Sequence, residues 1–159
     1  ASQIYYMLGD AYIQKKQVER AFAAYDSSLV KDPNNVQTLN NYAYHLSTRG
    51  VQLQRAVKLA QRATEIEPHN TIYLDTYAWA LYKAGKYAEA KTVTDSMWVA
   101  FEKEGQSEKP DAGYYDRSGD IYFKAGASKD AAQMWKEALQ LTSDHKEQRK
   151  LRAKLQKVR

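Results

Sequence analysis

Residues 8–12, Leu8-Gly9-Asp10-Ala11-Tyr12, recur in altered form as Tyr42-Ala43-Tyr44-His45-Leu46, Tyr77-Ala78-Trp79-Ala80-Leu81 and Ser118-Gly119-Asp120-Ile121-Tyr122. The small residues Gly9, Ala43, Ala78 and Gly119 stand 34, 35 and 41 residues apart. A phrase returning at such an interval marks a stack of small similar units, each unable to bury its apolar face alone. After each phrase come a turn signal and a second small residue, Ala21, Ala56, Ala90 or Ala131. Pro33 and Pro68 close the first two units, each 12 residues past that second small residue.

Within a unit the apolar residues follow helical spacing. Tyr5, Leu8, Gly9 and Tyr12 share one helix face, as do Leu39, Tyr42, Ala43 and Leu46, and then Leu74, Tyr77, Ala78 and Leu81. Second helices carry Ala21, Tyr25 and Leu29, or Leu59, Ala63 and Ile66. Lys16-Gln17, Arg49-Gly50, Lys83-Ala84-Gly85-Lys86 and Ala125-Gly126 interrupt the pairs, and glycine there suits a left-handed helix end. The pattern predicts helices near 2–15, 18–31, 36–49, 52–66, 71–84, 87–103, 111–125, 128–141 and 144–157. The small residues predict close crossings within each pair, where a large side chain would push the helices apart. Trp98-Val99-Ala100-Phe101 extends the apolar stripe of the sixth helix, and Glu102 to Asp111 reads as an exposed polar loop.

The phrase resembles the tetratricopeptide repeat. Tyr5, Leu8, Gly9, Tyr12, Ala21, Tyr25 and Pro33 match its signature in the first unit, and Tyr115, Gly119, Tyr122, Ala131, Trp135 and Ala138 match it in the fourth. The second unit has one extra residue in its Thr48 to Leu53 turn, and the third carries Thr94 where an aromatic is usual. Leu39-Asn40-Asn41-Tyr42-Ala43-Tyr44 and Tyr73-Leu74-Asp75-Thr76-Tyr77-Ala78-Trp79 look more specifically like bacterial members of cell-envelope or unassigned role. The resemblance implies an all-α, right-handed superhelical array of antiparallel helix pairs ending in a C-terminal capping helix. It is expected to form one domain over 1–159. Repeats are placed at about 2–35, 36–70, 71–104 and 112–145, with a loop at 104–111 and a cap at about 144–157. It also implies a bacterial cytoplasmic or envelope location. Ala1-Ser2-Gln3-Ile4 has neither an initiator Met nor a basic-then-apolar signal, so the expectation is a trimmed or processed chain with any targeting segment outside it.

Composition narrows the chemistry. At 159 residues, 43% hydrophobic and 27% charged, the balance is globular, and the lack of Cys excludes disulfides, thiolate metal sites and a cysteine nucleophile. The three histidines, His45, His69 and His145, form no metal-ligand pair at helical spacing, and no phosphate loop or nucleophile elbow occurs. Neither an enzyme, nor a cofactor, nor a metal is expected. Asp116 and Asp120 are paired carboxylates one turn apart, but a stack of helix pairs supplies no evident substrate wall around them.

The formal net charge of +5 is a property of the tail, where Lys146, Arg149, Lys150, Arg152, Lys154, Lys157 and Arg159 face the single acid Glu147. Leu151, Leu155 and Val158 give this helix an apolar edge, so it is expected to cover the last pair and turn its charges to water. It has no aromatic residue to stack on bases or anchor in an interface, which argues against nucleic-acid or anionic-membrane binding.

A curved array presents its first helices on an inner face. Removing the core stripe leaves Tyr6, Asp10 and Ile13, then Asn40, Tyr44 and Ser47, then Asp75, Trp79 and Tyr82, and finally Asp116, Asp120 and Phe123. This predicts an aromatic and acidic groove for a protein or peptide with basic and apolar side chains. In family members that clamp the acidic C-terminal tails of chaperones, basic and amide residues line the groove. The matching positions here are Tyr6, Asp10, Asn41, Ile72 and Thr76, where only Asn41 fits, or Asn40, Tyr44, Thr76, Gly113 and Arg117, where only the amide and Arg117 do. Chaperone tails are therefore not the expected partners. The alternatives are a structural or assembly segment of a larger envelope protein, packing through Ala1 to Tyr12, and a nucleic-acid or anionic-surface binder acting through the basic tail.

Overall fold

The computed structural model describes residues 1–103 and 109–158. Among them are nine α-helices: α1 (Ser2–Gln14), α2 (Val18–Lys31), α3 (Val36–Arg49), α4 (Leu53–Ile66), α5 (Thr71–Lys83), α6 (Tyr87–Lys103), α7 (Ala112–Lys124), α8 (Ser128–Leu141) and α9 (His145–Gln156). Every helix end lies within one residue of its sequence-based expectation. Of the loop expected at 104–111, residues 104–108 lie outside the described residues.

Local chemistry explains where the helices begin and end. The helices that open units after the first follow a side-chain cap: Asn35 accepts from the Thr38 amide at 3.0 Å and Asn70 from the Ile72 amide at 3.0 Å. Asp111 accepts from the Gly113 amide at 2.9 Å, and Asp144 from the Glu147 amide at 2.9 Å. Such caps satisfy amides that the first helical turn leaves unpaired. Within units, the chain turns through a left-handed residue at Gly50 (φ 69°), Gly85 (φ 79°) and Gly126 (φ 88°), and the equivalent place in the first unit is filled by Lys16 (φ 59°). The extra residue of the second turn brings a further left-handed position, Gln52 (φ 47°).

Contacts are densest within α1–α2, α3–α4, α5–α6 and α7–α8, and each pair then stacks on the next to form a superhelical array. The main core runs through the first three pairs, with Tyr25, Tyr42, Leu46, Ala56, Ala60, Ala78, Leu81 and Ala90 fully or almost fully buried. A second cluster joins Tyr122, Ala131, Trp135 and Ala138 to Leu151 of α9, with Leu155 and Val158 against it. The last helix is therefore a cap, as its apolar edge predicted.

The helix crossings refine the small-residue reading. A Cβ at Gly9 would overlap the ring of Tyr25, and one at Gly119 would overlap the indole of Trp135. It is the aromatic residue one turn beyond Ala21 or Ala131, rather than the alanine, that lies on the glycine. The longer α6 uses its extra apolar turn to bridge between pairs. Trp98 lies 4.7 Å from Tyr115 between ring centroids and donates its indole N–H to Ser118 Oγ at 3.0 Å, while Phe101 meets Tyr114 edge-on at 5.2 Å.

Candidate interaction face

The side chains singled out on α1, α3, α5 and α7 do lie on neighbouring helices, but they divide into two kinds. At the centre is aromatic surface. Trp79 stacks on Tyr82 with centroids 5.0 Å apart, Tyr82 leans on Tyr87 at 5.7 Å, and Tyr44 on the adjacent α3 is 42% exposed. Phe123 packs at 5.6 Å from Trp135 and Ile13 packs against the main core, each remaining partly accessible.

The acids are not the free carboxylates that the sequence suggested. Asp10 accepts the Tyr25 hydroxyl in a very short hydrogen bond and two bonds from the Asn41 amide, at 3.2 and 3.3 Å. Asp75 is clamped by Arg117, whose Nε and Nη2 donate at 3.1 and 2.7 Å. Lys154 of α9 reaches both Asp116, at 2.7 Å, and Asp120, at 2.8 Å, and Asp120 also accepts the Trp135 indole N–H at 3.2 Å. Burial of a carboxylate, even in part, favours a neutralising or hydrogen-bonding partner, and for these four the chain supplies it. The picture of four exposed acids setting the polarity of the groove is corrected accordingly. Asn40 is corrected too: it is buried, its amide N–H bonds Asn41 Oδ1 at 3.2 Å, and its own Oδ1 has no partner among the described residues.

Ionisation follows these surroundings. Burial pushes the Asp120 carboxyl above the usual range, opposed by Lys154 and by the Trp135 bond. Burial likewise raises Asp75, opposed by Arg117. Burial acts to lower Lys154, but its two carboxylates outweigh this and hold it up. Tyr6 is pushed up to about 12 by burial and by its contact with Asp10. His45, beside Tyr25 and Tyr44, is held below its ordinary value by burial and then by Arg49, which favours a neutral ring.

Sequence reasoning missed Lys154 as a member of this face because it counted the residue with the solvent-facing tail. The one available signal was its place on the same turn as the apolar edge of α9, between Leu151 and Leu155. Among the described residues, no three His, Cys, Asp or Glu side chains gather as a metal site, and no helix is long and apolar enough to cross a membrane.

Residues 2–34 match the family model of the tetratricopeptide repeat. A TPR repeat-containing protein of Pseudomonas aeruginosa is 30% identical over 63 residues, which are 40% of this chain and 11% of that protein. The chain thus matches about a tenth of the length of this curated relative. Among solved structures, MamA (AMB-1) superposes with a TM-score of 0.69 at 20% identity, over 89% of this chain and 79% of the other. PilF of Pseudomonas aeruginosa gives a TM-score of 0.74 at 18% identity, over 99% and 67%. The Sgt2 TPR domain of Aspergillus fumigatus gives 0.66 at 21%, over 80% and 81%. At these identities the likeness speaks for the fold. Residues 2–34 match the tetratricopeptide repeat directly, and three further helix pairs follow with the same order, so the array is similar in fold to tetratricopeptide-repeat proteins.

Proposed function

We propose that the chain seats a segment of a partner protein along its inner face, with the central aromatic side chains as anchors. The observation that carries this reading is the partly accessible aromatic surface at the middle of that face, the half-buried Trp79–Tyr82 stack on α5 with the exposed Tyr44 on the neighbouring α3. Large, semi-rigid rings that remain accessible on a curved scaffold are the side chains that dominate binding energy in other interfaces. Tyr6, Ile13 and Phe123 extend the apolar strip toward either end. Asp10, Asp75, Asp116 and Asp120 act behind it, bonding the neighbouring helices that present the rings.

Panning a random phage-displayed peptide library on the intact chain, followed by calorimetric titration of the recovered peptides, tests this. Trp79→Ala with Tyr82→Ala should weaken those peptides by about tenfold or more while helical content is unchanged. Equal affinity for both proteins would move the binding site off this face.

A second reading, an assembly segment within a larger protein, draws support from α1. Ile4 is 69% exposed and Met7 61%, and Leu8 lies open beside them. In α3 the equivalent positions are Thr38, Asn41 and Tyr42, which are turned toward the preceding pair through Ser28, Asp10 and Phe22. An apolar row at positions of this kind is what a further packed helix would cover.

A further inference from the structure

The end of the inner face formed by α5, α7 and α9 has a polarity opposite to that expected from its acids. A cavity of about 200 Å³ opens there with Tyr82, Phe123 and Trp135 as its walls, and three lysines, Lys124, Lys154 and Lys157, line it against the single acid Asp120. The two acids at this end, Asp116 and Asp120, both already hold Lys154. An incoming cation therefore finds no carboxylate without a partner, and it would have to displace a half-buried lysine to gain one.

The outer lysines are differently placed. Lys124 ends α7 and Lys157 follows α9, so the fold brings lysines from distant parts of the sequence to the lining of one cavity. Neither has an acidic partner among the described residues: Lys124 lies 6.0 Å from the Tyr87 ring, and Lys157 is solvent-exposed at the cavity rim. Lys83 adds a third cation next to the same aromatic surface, 5.7 Å from the Trp79 ring. A lysine in the last turn of a helix is favourable to the helix by itself. Convergence of several on one aromatic cavity creates in addition a positive potential above an apolar floor.

We infer that this end of the inner face binds an acidic residue of the partner segment, an Asp or Glu carboxylate held by Lys124 and Lys157, beside an apolar residue seated on Tyr82 and Phe123. The inference rests on the inner face being the binding surface, and it names the chemistry of the ligand at one end of it. Lys154 then serves as a fixed counter-ion, cancelling the repulsion that Asp116 and Asp120 would otherwise exert on the incoming carboxylate.

Three fluorescein-labelled octapeptides test this by fluorescence anisotropy. All share a central Leu-Phe pair, flanked by Glu, by Lys or by Ser. The Glu peptide should bind about tenfold more tightly than the Lys peptide at low salt, with the ratio shrinking toward physiological ionic strength. Lys124→Gln with Lys157→Gln changes two exposed side chains, and it should abolish the preference while leaving the Ser peptide unaffected. A Glu peptide no tighter than the others, or a preference that survives the double substitution, overturns the inference. If the Ser peptide still depends on Trp79 and Tyr82 in that case, the aromatic groove stands without the lysine site. A Glu preference indifferent to those two rings would leave the lysine site and remove the groove, and no binding by any peptide would remove both. Tighter binding of a labelled oligothymidylate, lost in the same lysine variant, would assign the cations to nucleic acid and also overturn the proposal.

Discussion

The first and fourth helix pairs cross differently from the second and third. In the outer pairs the first helix offers Gly9 or Gly119, and the ring of Tyr25 or Trp135 lies directly on the bare backbone. The residue after each glycine is an aspartate, and it accepts the polar hydrogen of that same ring, Asp10 from Tyr25 and Asp120 from Trp135. In the inner pairs the small residues are Ala43 and Ala78, and the ring positions are occupied by the fully buried Ala60 and Thr94. No ring needs an acceptor there, and the positions next to the alanines hold Tyr44 and Trp79 instead. A groove acid and a groove aromatic are thus alternative consequences of how the crossing beneath them is filled. This separates the acids beside the two glycines, which bond the ring beneath them, from the aromatic pair Tyr44 and Trp79, whose rings stand where no such bond is needed.

Adding one methyl group breaks the outer arrangement most severely. Gly119→Ala, and likewise Gly9→Ala, should destabilise the chain by roughly 2–3 kcal/mol in urea unfolding, because a Cβ has no room under the ring, although alanine is the better helix former. Ala43→Gly in an inner pair should cost only about 1 kcal/mol. A double-mutant cycle between Gly119→Ala and Trp135→Ala should show a coupling of at least about 1 kcal/mol. Additivity would mean that glycine and ring are not in contact.

A smaller effect is expected from the counter-ion at the fourth pair. Lys154→Ala leaves Asp116 and Asp120 facing one another, and should cost about 1–2 kcal/mol at neutral pH. In that variant the Asp120 pKa, already raised by burial, loses the ammonium that opposes the rise. A carboxyl with a raised folded-state pKa stabilises fully below its unfolded value and loses that contribution as pH climbs through the folded value. The stability deficit of Lys154→Ala should therefore shrink as pH falls into the carboxylate range. A deficit independent of pH would point to lost packing of the lysine stem against Trp135 rather than to charge.

The smallest change sharpens the contrast between the first pair and the fourth. Lys16 occupies the left-handed position that Gly126 fills in the fourth, at a cost a side chain bears and glycine does not. Lys16→Gly should raise stability by about 0.5–1 kcal/mol, offset in part by the greater freedom of glycine in the unfolded chain. Thermal unfolding resolves this, and a loss of stability would mean that the lysine stem makes a packing contribution larger than the strain.

The array, the nine helices among the described residues, the turns within its pairs and the cap were legible in the sequence. Each depends on interactions among residues that are near neighbours along the chain: apolar spacing of 3.6 residues, an Asn or Asp at a helix start, a glycine at a turn. The repetition of the phrase then carried the local pattern into a stack, since identical units pack in the same way. The coupling of Gly9 and Asp10 to Tyr25, 15 residues past the acid, and of Gly119 and Asp120 to Trp135 at the same interval, was also written in the sequence, but only as an unexplained recurrence. What the tertiary structure alone decided is the charge of the inner face. The partners of Asp75 and Asp116 lie 42 and 38 residues away, on other units, and an acid clamped by a distant lysine has the same local sequence as one open to water. Helical periodicity determines which face a side chain occupies, whereas its electrostatic role depends on which distant cation the stacking of units brings within a hydrogen bond of it.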